Sequence, residues 1–93
     1  MIELIRKNGV TAPIITCDQC SKRIKDVSMG MVFFSIFNDG EISYRICHKG
    51  NCDTGEPCSQ ELSHFLVWLL SNVGLKGEKL DKAIKSAKIM ELI

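Results

Sequence analysis

Residues 44–53 read "YRICHKGNCD", and they set three metal-binding side chains, Cys47, His48 and Cys52, at the end of a stretch that otherwise has the character of a strand. The residues before them alternate, with Ile42, Tyr44 and Ile46 on one side and Ser43, Arg45 and Cys47 on the other. The apolar set is expected to face the core. Carried one residue further, the alternation puts His48 on the core side and sends Cys47 outward with Arg45. His48 and Cys52 are then the better pair of ligands, with Gly50 between them able to take the positive φ of a tight ligand loop.

The strand that pairs with this stretch lies just upstream. "MVFFSIF" (31–37) is rich in β-branched and aromatic residues, "NDG" (38–40) is a turn, and "EISYRIC" (41–47) returns as the second strand of a hairpin. A first hairpin opens the chain. "IELIRK" and "VTAPII" flank Asn8-Gly9, a dipeptide suited to a type I′ turn, and Pro13, which has no N–H, places the second strand at an edge.

Between the hairpins sits "TCDQCSKRIKDVSMG" (16–30), a polar loop built around Cys17-x-x-Cys20. A structural zinc site needs four soft or borderline ligands from two tight turns, and two residues between cysteines let both sulfurs converge. A CxxC followed about 30 residues later by a second Cys/His pair is the pattern of such a site. Cys17, Cys20, Cys52 and His48 are the expected ligands; Cys47 is the first reserve, and Cys58, at the start of a helix, the second. A redox role for the CxxC is disfavoured, because a strand leads in, no periodic helix follows, and Asp18 beside Cys17 opposes the thiolate. Four protein ligands close the coordination sphere, so the zinc, one per chain, is structural. Asp18, Asp53 and Glu56 are read as solvated loop acids, Asp53 capping a turn, and His64 as a surface histidine. No catalytic residues and no phosphate-binding loop are identified, and the chain is read as non-enzymatic.

Downstream of "KGNCDTGEPC" (49–58) the period changes. Leu62, Phe65, Leu66, Leu69, Leu70 and Val73 form the stripe of an amphipathic helix over about 59–72, with Ser59 as N-cap and Gly74 as C′ residue. Val67 and Trp68 lie beside that stripe, so the helix is either the central element of the domain or docks a partner or a second copy through Trp68. A second helix follows "GLKG", with Leu80, Ala83, Ile84, Ala87 and Met90 on a narrow apolar face and Lys79, Lys82, Lys85 and Lys88 mostly opposite. The two helices are expected to form an antiparallel hairpin.

These elements amount to one α+β domain, residues 1–93, with a zinc-bearing two-hairpin portion (1–56) and a helical portion (57–93). At 93 residues the core is small, which makes help from a metal or a partner useful. The net charge of +1 argues against a protein devoted to phosphate backbones. Five cysteines without a signal peptide or membrane span indicate reduced thiols and a cytoplasmic setting.

The stretch "ITCDQCSKRI", followed by a hairpin and "HKGNCD", resembles a group of short bacterial and phage proteins whose pattern is Cys-Asp-x-Cys, a hairpin, then His-Lys-Gly-x-Cys-Asp. The group is in turn similar to zinc-ribbon and treble-clef domains. The resemblance covers residues 14–53 and implies Cys17, Cys20, His48 and Cys52 as zinc ligands. The chain departs from the group's pattern at Ser21, where Gly is usual, and at Cys47.

Three functions are consistent with these features. The first is a protein-interaction module, self-associating or binding a protein partner through Trp68 and Val67. A second is nucleic-acid binding or a transcription-associated role through Lys22, Arg23 and Lys25, which follow the CxxC. The third, suggested by the resembling proteins, is a phage or mobile-element inhibitor or accessory factor acting on a host protein.

Overall fold

Asn8 and Gly9 both take positive φ, 54° and 78°, as a type I′ turn requires. They join β1 (Ile2–Lys7) to β2 (Val10–Ile15) in a two-stranded antiparallel sheet, with Leu4 opposite Pro13. The structure, a computed structural model, describes residues 1–89. Within them the chain continues through a single 3₁₀ turn (Val27–Met29) into β3 (Gly30–Ile36), β4 (Ile42–His48), β5 (Cys58–Glu61), α1 (Leu62–Asn72) and α2 (Glu78–Ile89). The architecture is α+β, with two small antiparallel sheets and two helices among the described residues.

The second sheet has the order β4-β3-β5, which makes β3 its central strand. The sequence reading missed β5 and began the helix there. Residues 58–61 pair with Phe34 to Met31 instead, so Ser59 lies in a strand and does not cap the helix. The residue preceding α1 is Glu61, whose side chain makes no capping hydrogen bond. The other end of α1 follows expectation. Gly74 has φ 78°, its amide donates to the Ser71 carbonyl at 3.0 Å, and the Leu75 amide donates to the Leu70 carbonyl at 2.8 Å, a Schellman motif.

The core comprises Cys17, Ile24, Val32, Phe33, Ile46, Cys47, Cys52 and Leu62, with Phe65 and Leu66 packed against it. Val32 and Phe33 are neighbours on opposite faces of β3, yet both are buried. On the Gly30 and Val32 face sits α1. There Gly30 approaches Leu62 so closely that a β-carbon would collide with the leucine side chain. The other face, where Phe33 stands opposite Arg45, is approached by the loop after Cys52, from which Glu56 pairs with Arg45 at 3.7 Å.

This two-sided cover corrects the reading of β4. Cys47 does not point outward; it is wholly buried, because its face of the strand is covered too. Conversely, Ile42 and Tyr44 are exposed at 63% and 61%, since the hairpin tip runs beyond the cover that buries Ile46. Tyr44 keeps one contact with the helix, its ring centroid 6.5 Å from that of Phe65.

The second helix stands apart from this core and, contrary to the expected antiparallel hairpin, does not pack substantially against α1. None of its described residues is buried; Ala83 and Ile84 are exposed, and Leu80 and Ala87 half-buried. Met90 of the expected stripe lies outside the described residues. The radius of gyration, 15.2 Å, exceeds the roughly 12 Å of a compact domain of this length. No helix among the described residues is long and apolar enough to cross a membrane.

Candidate metal centre

The centre starts from a small hairpin that prolongs β2. The Ile24 amide donates to the Ile15 carbonyl at 2.8 Å, Thr16 bridges Arg23, and the Cys17 amide donates to the Lys22 carbonyl at 2.8 Å. The chain turns at 18–21, where the Ser21 amide donates to the Cys17 carbonyl at 2.9 Å and Ser21 adopts φ 64°. Cys17 and Cys20 stand on that turn. It is joined to the second sheet along the backbone of β4. Asp18 donates its amide to the Ile46 carbonyl and accepts the Ile46 amide on its carboxylate, both at 2.8 Å.

His48 ends β4 and Cys52 follows a turn in which Gly50 has φ 74°. The Lys49 amide donates to the Met29 carbonyl at 2.9 Å, and the Lys49 ammonium pairs with Glu61 at 2.9 Å, tying the ligand loop to the start of α1. The result is that one donor atom from each of Cys17, Cys20, His48 and Cys52 lies within 4.8 Å of all the others. His48 Nδ1 is 3.4 Å from Cys20 Sγ and 4.0 Å from Cys52 Sγ. A tetrahedral ion with ligand bonds of about 2.0–2.3 Å separates its donors by roughly 3.5–3.8 Å, so these residues could hold a metal ion.

The imidazole is oriented for this role. Its Nε2 lies 3.3 Å from the Arg23 carbonyl, which accepts only a hydrogen bond, so the ring proton belongs on Nε2 and the Nδ1 lone pair faces the thiols. Arg23 thus contributes its backbone to the centre, a role the sequence offered no signal for. The side chains of Lys22, Arg23 and Lys25 are exposed beside the turn.

Electrostatics separate three of the thiols, Cys17, Cys47 and Cys52. Burial raises the Cys17 thiol, but hydrogen bonds from the amides of Cys20, His48 and Gln19 outweigh it and bring the group down to about 6. The Asp18 carboxylate beside it was expected to oppose the thiolate. It is turned instead toward the Ile46 amide and the Met1 amino group, and the amides decide the matter. Burial pushes Cys52 up to about 11, as do its hydrogen bonds to Cys17 and Cys20. Cys47 is likewise held at about 11 by burial and by the charge on Cys17. Of these three, Cys17 carries charge readily, whereas Cys47 and Cys52 hold their protons.

Cys47, the first reserve, lies in the core beside the centre and outside the four-residue cluster. Cys58, the second, is half-buried in β5 opposite Phe34 and is also outside it. His64 is exposed on α1. Among the acids, Asp53 accepts the Gly55 amide at 2.8 Å as a turn cap. Glu56, expected to be solvated, is half-buried between Arg45 and the Thr54 hydroxyl.

On the helical side, Val67 and Trp68 are exposed at 67% and 63%, which settles that α1 is not enclosed by the domain. Comparison of the chain with protein-family models, with curated proteins and with solved structures found no match.

Proposed function

We propose that the chain is a non-enzymatic module for protein–protein interaction whose fold is held by one structural Zn²⁺ at Cys17, Cys20, His48 and Cys52. Three thiols and an imidazole are a donor set that suits zinc, and four protein ligands leave no coordination position for water or substrate. The metal then serves folding. It ties the 17–20 turn beyond β2 to the end of β4, two parts of the chain about 30 residues apart. Apparent zinc binding energies of about 10–16 kcal/mol exceed the whole stability of most domains this small.

The observation that carries the interaction reading is the exposure of Trp68 and Val67 on the side of α1 turned away from the buried Leu62. A monomer gains nothing by holding a tryptophan in water, whereas tryptophan is the commonest anchor of protein interfaces.

Purified chain analysed for metal is expected to contain one zinc per molecule, and chelation to unfold it. Trp68→Ala is expected to leave metal content and fold intact while weakening association. A metal-free, folded chain would overturn the zinc reading, and unchanged association in the Trp68 variant would overturn the interaction reading.

A further inference from the structure

Two apolar helix faces are only partly covered among the described residues. The first is a trough along α1. One groove of about 510 Å³, apolar at Ile2, Tyr44, Phe65 and Leu69 and bounded at one end by the Met1–Asp18 ion pair, shares Phe65 and Leu69 with a second of about 210 Å³ that includes Trp68 and is edged by Gln60 and Asn72. The second face is the stripe of α2, Leu80, Ala83, Ile84 and Ala87, of which none is buried among the described residues.

An α-helix of 12 residues is marginal in water, so α2 needs a packing partner to persist as a helix. Its stripe is narrow and carries two alanines, so a neighbouring helix face can approach closely. The stripe from Leu80 to Ala87 is about 10 Å long. The trough offers the reverse relief: bulky Phe65, Leu69 and Trp68 flanking an open channel. The five residues between the helices include Gly74 and Gly77, both at positive φ, and α2 beyond them does not pack substantially against any other element among the described residues.

We propose that the trough on α1 receives α2 of a second copy of this chain, reciprocally, in a two-fold symmetric dimer. The inference rests on reading the exposed face of α1 as a docking surface and names its occupant. Reciprocity matters for area. One short helix in one groove is a small contact, but two-fold symmetry makes it twice. The lysines at 79, 82, 85 and 88 stay at the rim, where long side chains keep their ammonium groups in water.

The test uses the zinc-loaded full chain and two variants, Trp68→Glu in the trough and Ile84→Glu on α2. Mass is read by light scattering over a range of concentrations, and zinc content is measured for each protein. Wild type is expected to be a dimer, and each variant alone to dimerise at least tenfold more weakly with one zinc per chain retained. An equimolar mixture of the two variants is expected to recover heterodimer, because one of the two reciprocal contacts joins an intact trough to an intact α2. The chain's single tryptophan is expected to shift to shorter emission wavelength as wild type is concentrated. Three results would overturn the proposal: a wild type that stays monomeric, a dimer that survives Ile84→Glu but not Trp68→Glu, or no recovery in the mixture. A monomeric wild type that binds an unrelated protein through Trp68 would overturn the self-pairing while leaving the docking surface standing. Zinc content keeps the readings apart: a wild type without zinc would overturn the metal reading, and a variant that keeps its zinc and dimerises as tightly as wild type would overturn the self-pairing.

Discussion

Asp18 holds Ile46 by both backbone polar groups, donating its amide to the carbonyl and accepting the amide on its carboxylate at 2.8 Å each. Two residues past Ile46 stands His48, so this pair fixes the distance between the Cys17-Cys20 turn and the histidine that must meet it. The carboxyl is raised by burial but drawn below the usual carboxylate range by the Ile46 amide and the Met1 amino group, so it is ionised at neutral pH. Asp18→Ala removes a charge-assisted acceptor and is expected to cost about 2 kcal/mol in denaturant unfolding of the zinc-loaded protein. Asp18→Asn, which keeps an acceptor oxygen, is expected to cost less. Equal losses in the two variants would contradict this role.

Ser21 occupies the left-handed region at φ 64°, a conformation that carries a steric penalty for any residue with a β-carbon. Ser21→Gly relieves that penalty and gives back part of the gain through a more flexible unfolded chain. The expected net effect is about 0.5–1 kcal/mol of added stability at unchanged zinc content, read from the unfolding midpoint. A destabilised glycine variant would mean that the serine side chain holds the turn.

Cys47 and Cys58 should differ in chemistry. In the zinc-loaded protein Cys58, half-buried, is expected to alkylate first, and Cys47, wholly buried with its thiol held near 11, to resist. Cys47→Ser, which on an outward-facing position would be mild, instead places a hydroxyl in the core. It is expected to cost about 1–3 kcal/mol while leaving one zinc per chain. Loss of the metal in this variant would make Cys47 a ligand.

Zinc uptake should depend on pH through the thiols. At pH 7 Cys17, near 6, is already ionised, whereas Cys52, near 11, must surrender its proton to the metal. Protons compete with zinc for the sulfur, so affinity is expected to rise with pH by at least about tenfold per unit between 6 and 9. Below about 6 the Cys17 proton returns and the dependence steepens. Chelator competition across this range checks it, and a flat profile would contradict the thiolate ligands.

Much of this structure can be read from short-range chemistry. Asn8-Gly9 defines the first hairpin, and Cys17, Cys20, His48 and Cys52 announce themselves by spacing; the alternation argument for His48 over Cys47 does not hold, since Cys47 is wholly buried and His48 half-buried. What could not be read depends on contacts distant in sequence. Residues 58–61, "CSQE", have no strand character of their own and pair with β3 because its edge is free. Cys47 was misplaced because alternation names two faces without saying whether one or both are covered, and on the second face the Cys17–Gln19 turn lies against Cys47. The capture of the His48 ring by the Arg23 carbonyl uses a backbone atom, which no side-chain pattern reveals.

The measurement that bears most directly on the metal centre is X-ray absorption at the zinc edge of the purified protein. Ligation by Cys17, Cys20, Cys52 and His48 predicts three sulfur neighbours at about 2.3 Å and one nitrogen at about 2.0–2.1 Å. A shell of four sulfurs would mean that Cys47 or Cys58 has displaced His48, and a shell dominated by oxygen and nitrogen would mean that the thiols do not hold the metal at all.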